Sequence, residues 1–216
     1  MKNFSTIILL LLISISCKAQ IIDAFDSEVV VGDTYGAYYQ DIFGFREQFI
    51  GRFIYTNGNT SLTVEFQKRD NLLRETEFNS YNEDILIGEF RYIENGVEKI
   101  NTLNTINTNY GSDYFQNMQH NLFGYMFIRR PKSFPRCNEC LPNEKRMVFS
   151  YTEPNYDAKG VANGHMVVRK FIEGGIEKIK IWFYTTNQIQ LHDEFDNPIN
   201  PEPYKIPFGE YVLIKQ

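Results

Sequence analysis

Residues 165–185 read HMVVRKFIEGGIEKIKIWFYT, and this stretch decides the fold. Its central Gly174-Gly175 suits the primed two-residue turn that joins antiparallel strands, and such a turn pairs Glu173 with Ile176. One face of the hairpin is then largely apolar, with Met166, Val168, Ile179, Ile181 and Phe183. The other face is half polar, with Phe171, Lys178 and Lys180. One buried and one solvated face is typical of an antiparallel sheet.

Two more hairpins show the same alternation around turn dipeptides. The first joins 49–56 to 61–68 around Asn57-Gly58, and the second joins 85–94 to 97–103 around Asn95-Gly96. Further strands are predicted over 122–129, 146–152, 189–191 and 210–215, and a short helix is predicted over 39–48. The chain therefore predicts an all-β fold, an antiparallel β-barrel of about ten strands, with a β-sandwich as the alternative.

One decapeptide occurs twice in the sequence. RYIENGVEKI at 91–100 and KFIEGGIEKI at 170–179 are identical at six of ten positions, which either two similar tight hairpins or an internal duplication explains. The register of the later hairpin, applied to the earlier one, places Glu89 and Arg91 on the face toward the core. The two side chains are then either an ordinary ion pair at the barrel rim or a polar binding site inside an apolar cavity.

The first 19 residues have the layout of an export signal. Lys2 precedes an apolar run over 7–13, and small and polar residues follow up to Gln20. We expect cleavage after Ala19, with lipidation of Cys17 as the alternative. Residues 20–216 are then a single all-β domain in the periplasm, at the outer membrane or outside the cell. No second long apolar run follows, so no membrane-spanning segment is predicted after signal removal.

Charge disfavours one class of partner. The protein has 22 basic and 27 acidic side chains, and its net charge of −5 becomes −7 once Lys2 and Lys18 leave with the signal. An acidic chain is a poor ligand for nucleic acid. A local basic cluster of Arg129, Arg130, Lys132 and Arg136 is either a solvated loop or a docking site for an acidic partner or a lipid headgroup.

Cys137 and Cys140 are the two cysteines that remain in the exported chain when cleavage follows Ala19. In an oxidising compartment we expect them to form a disulfide that orders the loop over 131–145. A redox-active pair needs to open a helix after a strand, whereas prolines flank this pair on both sides. A zinc site needs two further ligands, and the three histidines of the sequence, His120, His165 and His192, are scattered.

Two resemblances are carried by short segments. FIGRFIY at 49–55 resembles the opening of lipocalin-like barrels, which implies a lipocalin-like barrel. A broader similarity rests on CKAQ at 17–20, YTNG at 55–58, YIENGVEK at 92–99, the cysteine pair before NEKR at 143–146, and PFGEYVLI at 207–214. On these segments the chain is similar to an uncharacterised family of secreted flavobacterial proteins, a domain of unknown function. That resemblance implies the compartment and the bacterial group, and it implies no activity.

The sequence contains no motif of a known catalytic site. It lacks a nucleophile elbow, a phosphate loop, a dinucleotide fingerprint and a His-Glu-x-x-His pair, so no catalytic residue, metal ligand or cofactor is predicted. We expect a non-catalytic binding module whose barrel takes a small apolar ligand, or whose surface meets an envelope partner. Two alternatives stay open: an envelope hydrolase with a site in the loop-rich barrel mouth, and a purely structural or interaction protein.

Overall fold

The computed structural model describes residues 19–154, 164–185 and 204–216. Its strands are β1 (Ile21–Asp23), β2 (Tyr38–Gln40), β3 (Gly51–Asn57), β4 (Thr60–Glu75), β5 (Ser80–Glu94), β6 (Val97–Asn101), β7 (Leu122–Ile128), β8 (Arg146–Tyr151), β9 (Gly164–Glu173), β10 (Ile176–Thr185) and β11 (Gly209–Lys215). Between them lie two 3-10 helices, η1 (Glu47–Phe49) and η2 (Leu103–Thr105), and a short α-helix, α1 (Tyr114–Asn117).

Eight of the strands close into an antiparallel barrel. Their order is β5-β4-β3-β11-β10-β9-β8-β7, and β7 returns to pair with β5. This confirms the all-β barrel that the sequence predicts. The long strand β5 has β4 along one edge, while β2, β7 and β6 follow one another along its other edge. The extra strands β1, β2 and β6 therefore lie beside the barrel wall and not within it.

The hairpin of β9 and β10 has the predicted register, from Glu173 opposite Ile176 to Met166 opposite Phe183. Both turn glycines have positive φ angles, 60° and 79°, which favour glycine. The predicted inner residues of this hairpin are buried in the barrel interior, namely Met166, Val168, Ile179, Ile181 and Phe183. A turn of fixed length and strict alternation together determine this part of the fold.

Stacked aromatic rings occupy the barrel centre. The ring centroids of Phe66 and Phe149 are 4.6 Å apart, and those of Phe90 and Tyr151 are 4.9 Å apart. Gly88 makes the first contact possible, because a Cβ atom on this residue would lie 2.7 Å from the ring of Phe66. Gly88 pairs with the first residue of β7, so this close packing lies where the barrel closes.

The helix predicted over 39–48 is wrong. Residues 38–40 form β2, and the chain then turns until η1 begins. The carboxylate of Asp41 accepts the backbone N–H groups of Phe45 at 2.8 Å and Arg46 at 2.6 Å, and Gly44 has a φ of 66°. Side-chain bonds to nearby N–H groups offer the backbone an alternative to a helix, and here the alternative prevails.

The predicted interior position of Glu89 and Arg91 is also wrong. Within the barrel, β4 pairs Val64 with Phe90, and both side chains point into the interior. Alternation along β5 then places Glu89 and Arg91 on the outer face. The pairing of β5 with β6 shifts register after Tyr92, whereas that of β9 with β10 is regular. The first strands of the two decapeptides therefore present opposite faces to the barrel, whereas the equivalent Ile100 and Ile179 of the second strands both face its core.

Candidate functional site

Glu89 is buried outside the barrel, where the segment 102–121 covers β5. Its Oε1 lies 2.9 Å from Nδ1 of His120 and accepts the N–H group of Asn121 at 3.4 Å. Glu89 and His120 are each 1% exposed, and the ring of Tyr110 packs edge-on against the histidine. This contact fastens the covering segment to the barrel wall. No local sequence pattern links the two residues, because 31 positions separate them.

Arg91 forms its ion pair with Glu98 of β6 instead of Glu89. The Arg91 Nε lies 2.6 Å from Oε2 of Glu98, and both side chains are about two-fifths exposed. Glu65, directly opposite Glu89 on β4, pairs at 2.6 Å with the half-exposed Arg52. The proposal that Glu89 and Arg91 bind a ligand stays a prediction, and the structure gives them separate partners.

The disulfide between Cys137 and Cys140 is confirmed. Its loop packs on the outer face of the barrel, where Cys137 lies in a buried cluster with Val148, Val167 and Trp182. Arg146, which is fully buried, donates hydrogen bonds to the carbonyl groups of Arg130, Ser133 and Pro135. The loop is thus held by the disulfide bond and by the buried guanidinium of Arg146, which donates hydrogen bonds to three of its carbonyl groups.

A β-bulge in β7 turns two large side chains toward the outside. The pairing of β7 with β8 shifts register between Gly124 and Met126, and Tyr125 and Met126 are 39% and 48% exposed. Bulges re-aim side chains and are frequent beside functional sites. Tyr125 lines three grooves around β7, and the third of them also reaches Met147 and Phe127 at the edge of the barrel core. The bulge is therefore the centre of the candidate site.

The first groove, of about 560 Å³, is aromatic. His165 lies between two tyrosines, with its Nδ1 3.3 Å from Oη of Tyr125 and its ring 5.9 Å from the ring of Tyr184. Phe134 of the disulfide loop packs edge-on against Tyr184. Burial lowers the pKa of His165, which favours its neutral form. The second groove, of about 390 Å³, lies between this histidine and α1.

The third groove, of about 460 Å³, combines apolar walls with three charged side chains. The walls come from the N-terminal segment 24–31 and from β7 and β8, and the charges belong to Arg46, Arg74 and Glu83. Nη1 of Arg74 lies 3.3 Å from Oε1 of Glu83, which is 5% exposed. Burial raises the pKa of Glu83, and the positive charge of Arg74 opposes that shift.

Arg46 is the least satisfied of these three charges. It is 6% exposed, and its Cζ lies 4.5 Å from the ring centre of Phe25. Within the described part of the chain, its Nε and Nη1 atoms have no hydrogen-bond partner. Burial lowers the pKa of this guanidinium, and the negative charges of Asp41 and Glu83 oppose the shift. An unpaired buried cation is costly for folding, so this arrangement calls for a role beyond packing.

The other predicted features are distributed as follows. Arg129, from the predicted basic cluster, donates to the carbonyl groups of Phe25 and Asp26 at 2.9 and 2.7 Å, which fastens one wall of the third groove. Cys17, His192, most of the signal and the strand over 189–191 lie outside the described residues. Among the residues that the structure does describe, no three His, Cys, Asp or Glu side chains are grouped so as to hold a metal ion.

In the described ranges, no helix has the length and apolar character needed to cross a membrane.

Comparison with known proteins gives one match. A family model described as "Family of unknown function (DUF6705)" matches residues 1–216. No curated protein and no solved structure matches the chain. An account of function has therefore to rest on the grooves and charges of the molecule itself.

Proposed function

This chain belongs to a family of unknown function (DUF6705), and we propose that it is an exported, non-catalytic binding module whose third groove holds a small apolar ligand. The signal predicted at 1–19 supports export. The disulfide between Cys137 and Cys140 is compatible with it, because such bonds persist in oxidising compartments. In this proposal residues 20–216 are the exported module.

The observation that carries the proposal is the size and lining of the third groove. Its volume of about 460 Å³ falls in the range of small-molecule sites, roughly 300–1,000 Å³, which are mostly apolar with a few polar groups. Met126 and Phe127 of β7 supply apolar surface on one side, and Val30 and Val31 supply it on the other. The barrel centre, by contrast, is occupied by stacked rings. We therefore place the ligand in this groove and not in the ring-filled centre of the barrel.

Titration with Nile red, a neutral dye whose fluorescence rises in apolar surroundings, tests this proposal. Val30→Glu should abolish the fluorescence increase, because it adds a charge to the apolar wall of the third groove, and Val30 lines neither of the other two grooves. Val212→Glu is the matched control, since Val212 is also an exposed valine, 43% against 63% for Val30, and lines none of the three grooves. Equal binding by the original protein and both variants would contradict the groove, and no binding by the original protein would contradict the function.

A further inference from the structure

We propose that the third groove selects a singly charged carboxylate with an apolar chain, and that Arg46 and Arg74 hold its carboxylate. This inference rests on the proposed function, because the chain of such a ligand would occupy the same apolar walls. It adds the charge, and hence the chemical class, of the ligand.

The guanidinium of Arg46 is buried and, within the part of the chain that the structure describes, lacks acceptors for two of its nitrogen atoms. A guanidinium stays charged throughout the physiological pH range, and it presents donors in a planar fork that matches a carboxylate. Among the described residues, Arg46 has no ion pair, and two of its nitrogen atoms are buried without an acceptor. Its contact with the ring of Phe25 satisfies only one face of the guanidinium. A ligand carboxylate would supply the missing acceptors in the plane of the fork.

The carboxylates near Arg46 already accept hydrogen bonds from other groups. The two carboxylate oxygens of Asp41 accept the N–H groups of Phe45 and of Arg46 itself. The carboxylate of Asp84 accepts hydrogen bonds from the hydroxyl of Tyr38 and from two backbone N–H groups. These carboxylates hold the turn after β2 in place. Their negative charges lower the electrostatic potential at Arg46, but they accept no hydrogen bond from its Nε and Nη1 atoms.

The groove lining carries two guanidiniums and one carboxylate, an excess of one positive charge that the nearby carboxylate of Asp41 offsets only in part. The distance of 3.3 Å between Arg74 and Glu83 is long for a charge-assisted hydrogen bond, which is typically about 2.7–2.9 Å. The Nε atom of Arg74 is buried without a partner within the described residues. A single negative charge between Arg46 and Arg74 would complete the site.

Calorimetric titration with three ligands separates the two proposals. Octanoate has both the charge and the apolar chain, octanol has the chain alone, and acetate has the charge alone. We expect octanoate to bind at least about tenfold more tightly than either of the others, as a charge-assisted hydrogen bond would provide. Equal binding of octanol would overturn the carboxylate inference and leave the apolar groove standing. Equal binding of acetate would support the anion site and overturn the apolar function. If none of the three binds, both proposals fail.

Variants assign the charge to its residues. Arg46→Met should weaken octanoate binding about tenfold or more and leave octanol binding unchanged. Arg52→Met removes an exposed guanidinium that does not line the groove, so it should leave the binding of both octanoate and octanol unchanged. Glu83→Gln should tighten octanoate binding several-fold, because it frees Arg74, so the inference can be tested even if Arg46→Met fails to fold. Octanoate binding that is the same in Arg46→Met and Glu83→Gln as in the original protein would overturn the assignment.

Discussion

Glu89 and Arg91 lie two residues apart on the same face of β5, and their environments are nevertheless opposite. Glu89 is covered by the segment 102–121 and paired with His120, whereas Arg91 reaches solvent and pairs with Glu98. Burial on this face depends on a segment that is distant in sequence. Alternation along one strand shows that two residues share a face, but it reveals neither which face lies inside the barrel nor what covers the other. This is why the sequence identifies Glu89 as unusual without finding its partner.

We expect Glu89→Ala to lower the free energy of unfolding by about 3 kcal/mol, because it leaves the buried His120 without its partner. Glu65→Ala is the matched control. Glu65 lies directly opposite Glu89 on the same outer face, and its ion pair with the half-exposed Arg52 is worth less than about 1 kcal/mol. Urea unfolding of the two variants measures both effects. A larger loss for Glu65→Ala would show that the buried contact does not anchor the covering segment.

Among the elements, the contact of β5 with β7 closes the barrel. Only a short stretch of β5, from Leu86 to Gly88, pairs with β7. The glycine at its end lets the ring of Phe66 pack against the β5 backbone, and Phe66 in turn stacks on Phe149 of β8. Closure of the barrel therefore depends on the small size of Gly88 as well as on the hydrogen bonds between the strands.

Gly88→Ala should cost about 1–3 kcal/mol of stability, because the new methyl group would lie 2.7 Å from the Phe66 ring and 3.0 Å from the carbonyl oxygen of Glu65. If the ring is the main obstacle, the same substitution should cost less in a Phe66→Leu background. A double-mutant cycle by chemical denaturation measures this coupling. Strictly additive losses would mean that Phe66 does not limit the space at the closure.

The elements also show how far the sequence predicts this fold. The register of β9 and β10 follows from the Gly174-Gly175 turn and from alternation, both of which are local. The segment 39–48 has a helix-like pattern, but the carboxylate of Asp41 binds two backbone N–H groups and stabilises turns instead. The bulge that exposes Tyr125 cannot be read from β7 alone, because it is defined by pairing with β8. Local signals thus predict the strands, and non-local pairing determines the candidate site.

At the scale of the whole molecule, the barrel is a packed support, and the grooves around β7 are the surface to which we assign binding. Aromatic side chains fill the barrel centre, while the N-terminal segment, the disulfide loop and the segment 102–121 cover parts of the outside. Tyr125 lines grooves that also involve each of these three segments or their neighbours. We propose that the ligand binds between the barrel wall and the segments that cover it.

Export is a prediction about the whole molecule, and the start of the mature chain tests it directly. We predict that the protein recovered from outside the cytoplasm begins at Gln20, or at a lipidated Cys17, because the order of charge, apolar run and small residues is that of an export signal. Intact mass and N-terminal sequencing distinguish the two forms. Recovery of the exported protein with Met1 in place would contradict the prediction.

The central claim is that the ligand lies in the third groove and not in the packed centre of the barrel. Two methionines report on these two places, since Met126 lines the third groove and Met166 is buried in the barrel interior. With carbon-13 in the methionine methyl groups, an NMR titration with octanoate follows both signals at once. We predict that the Met126 signal shifts with octanoate concentration while the Met166 signal stays in place. A shift of Met166 with Met126 unchanged would contradict it and return the ligand to the barrel interior.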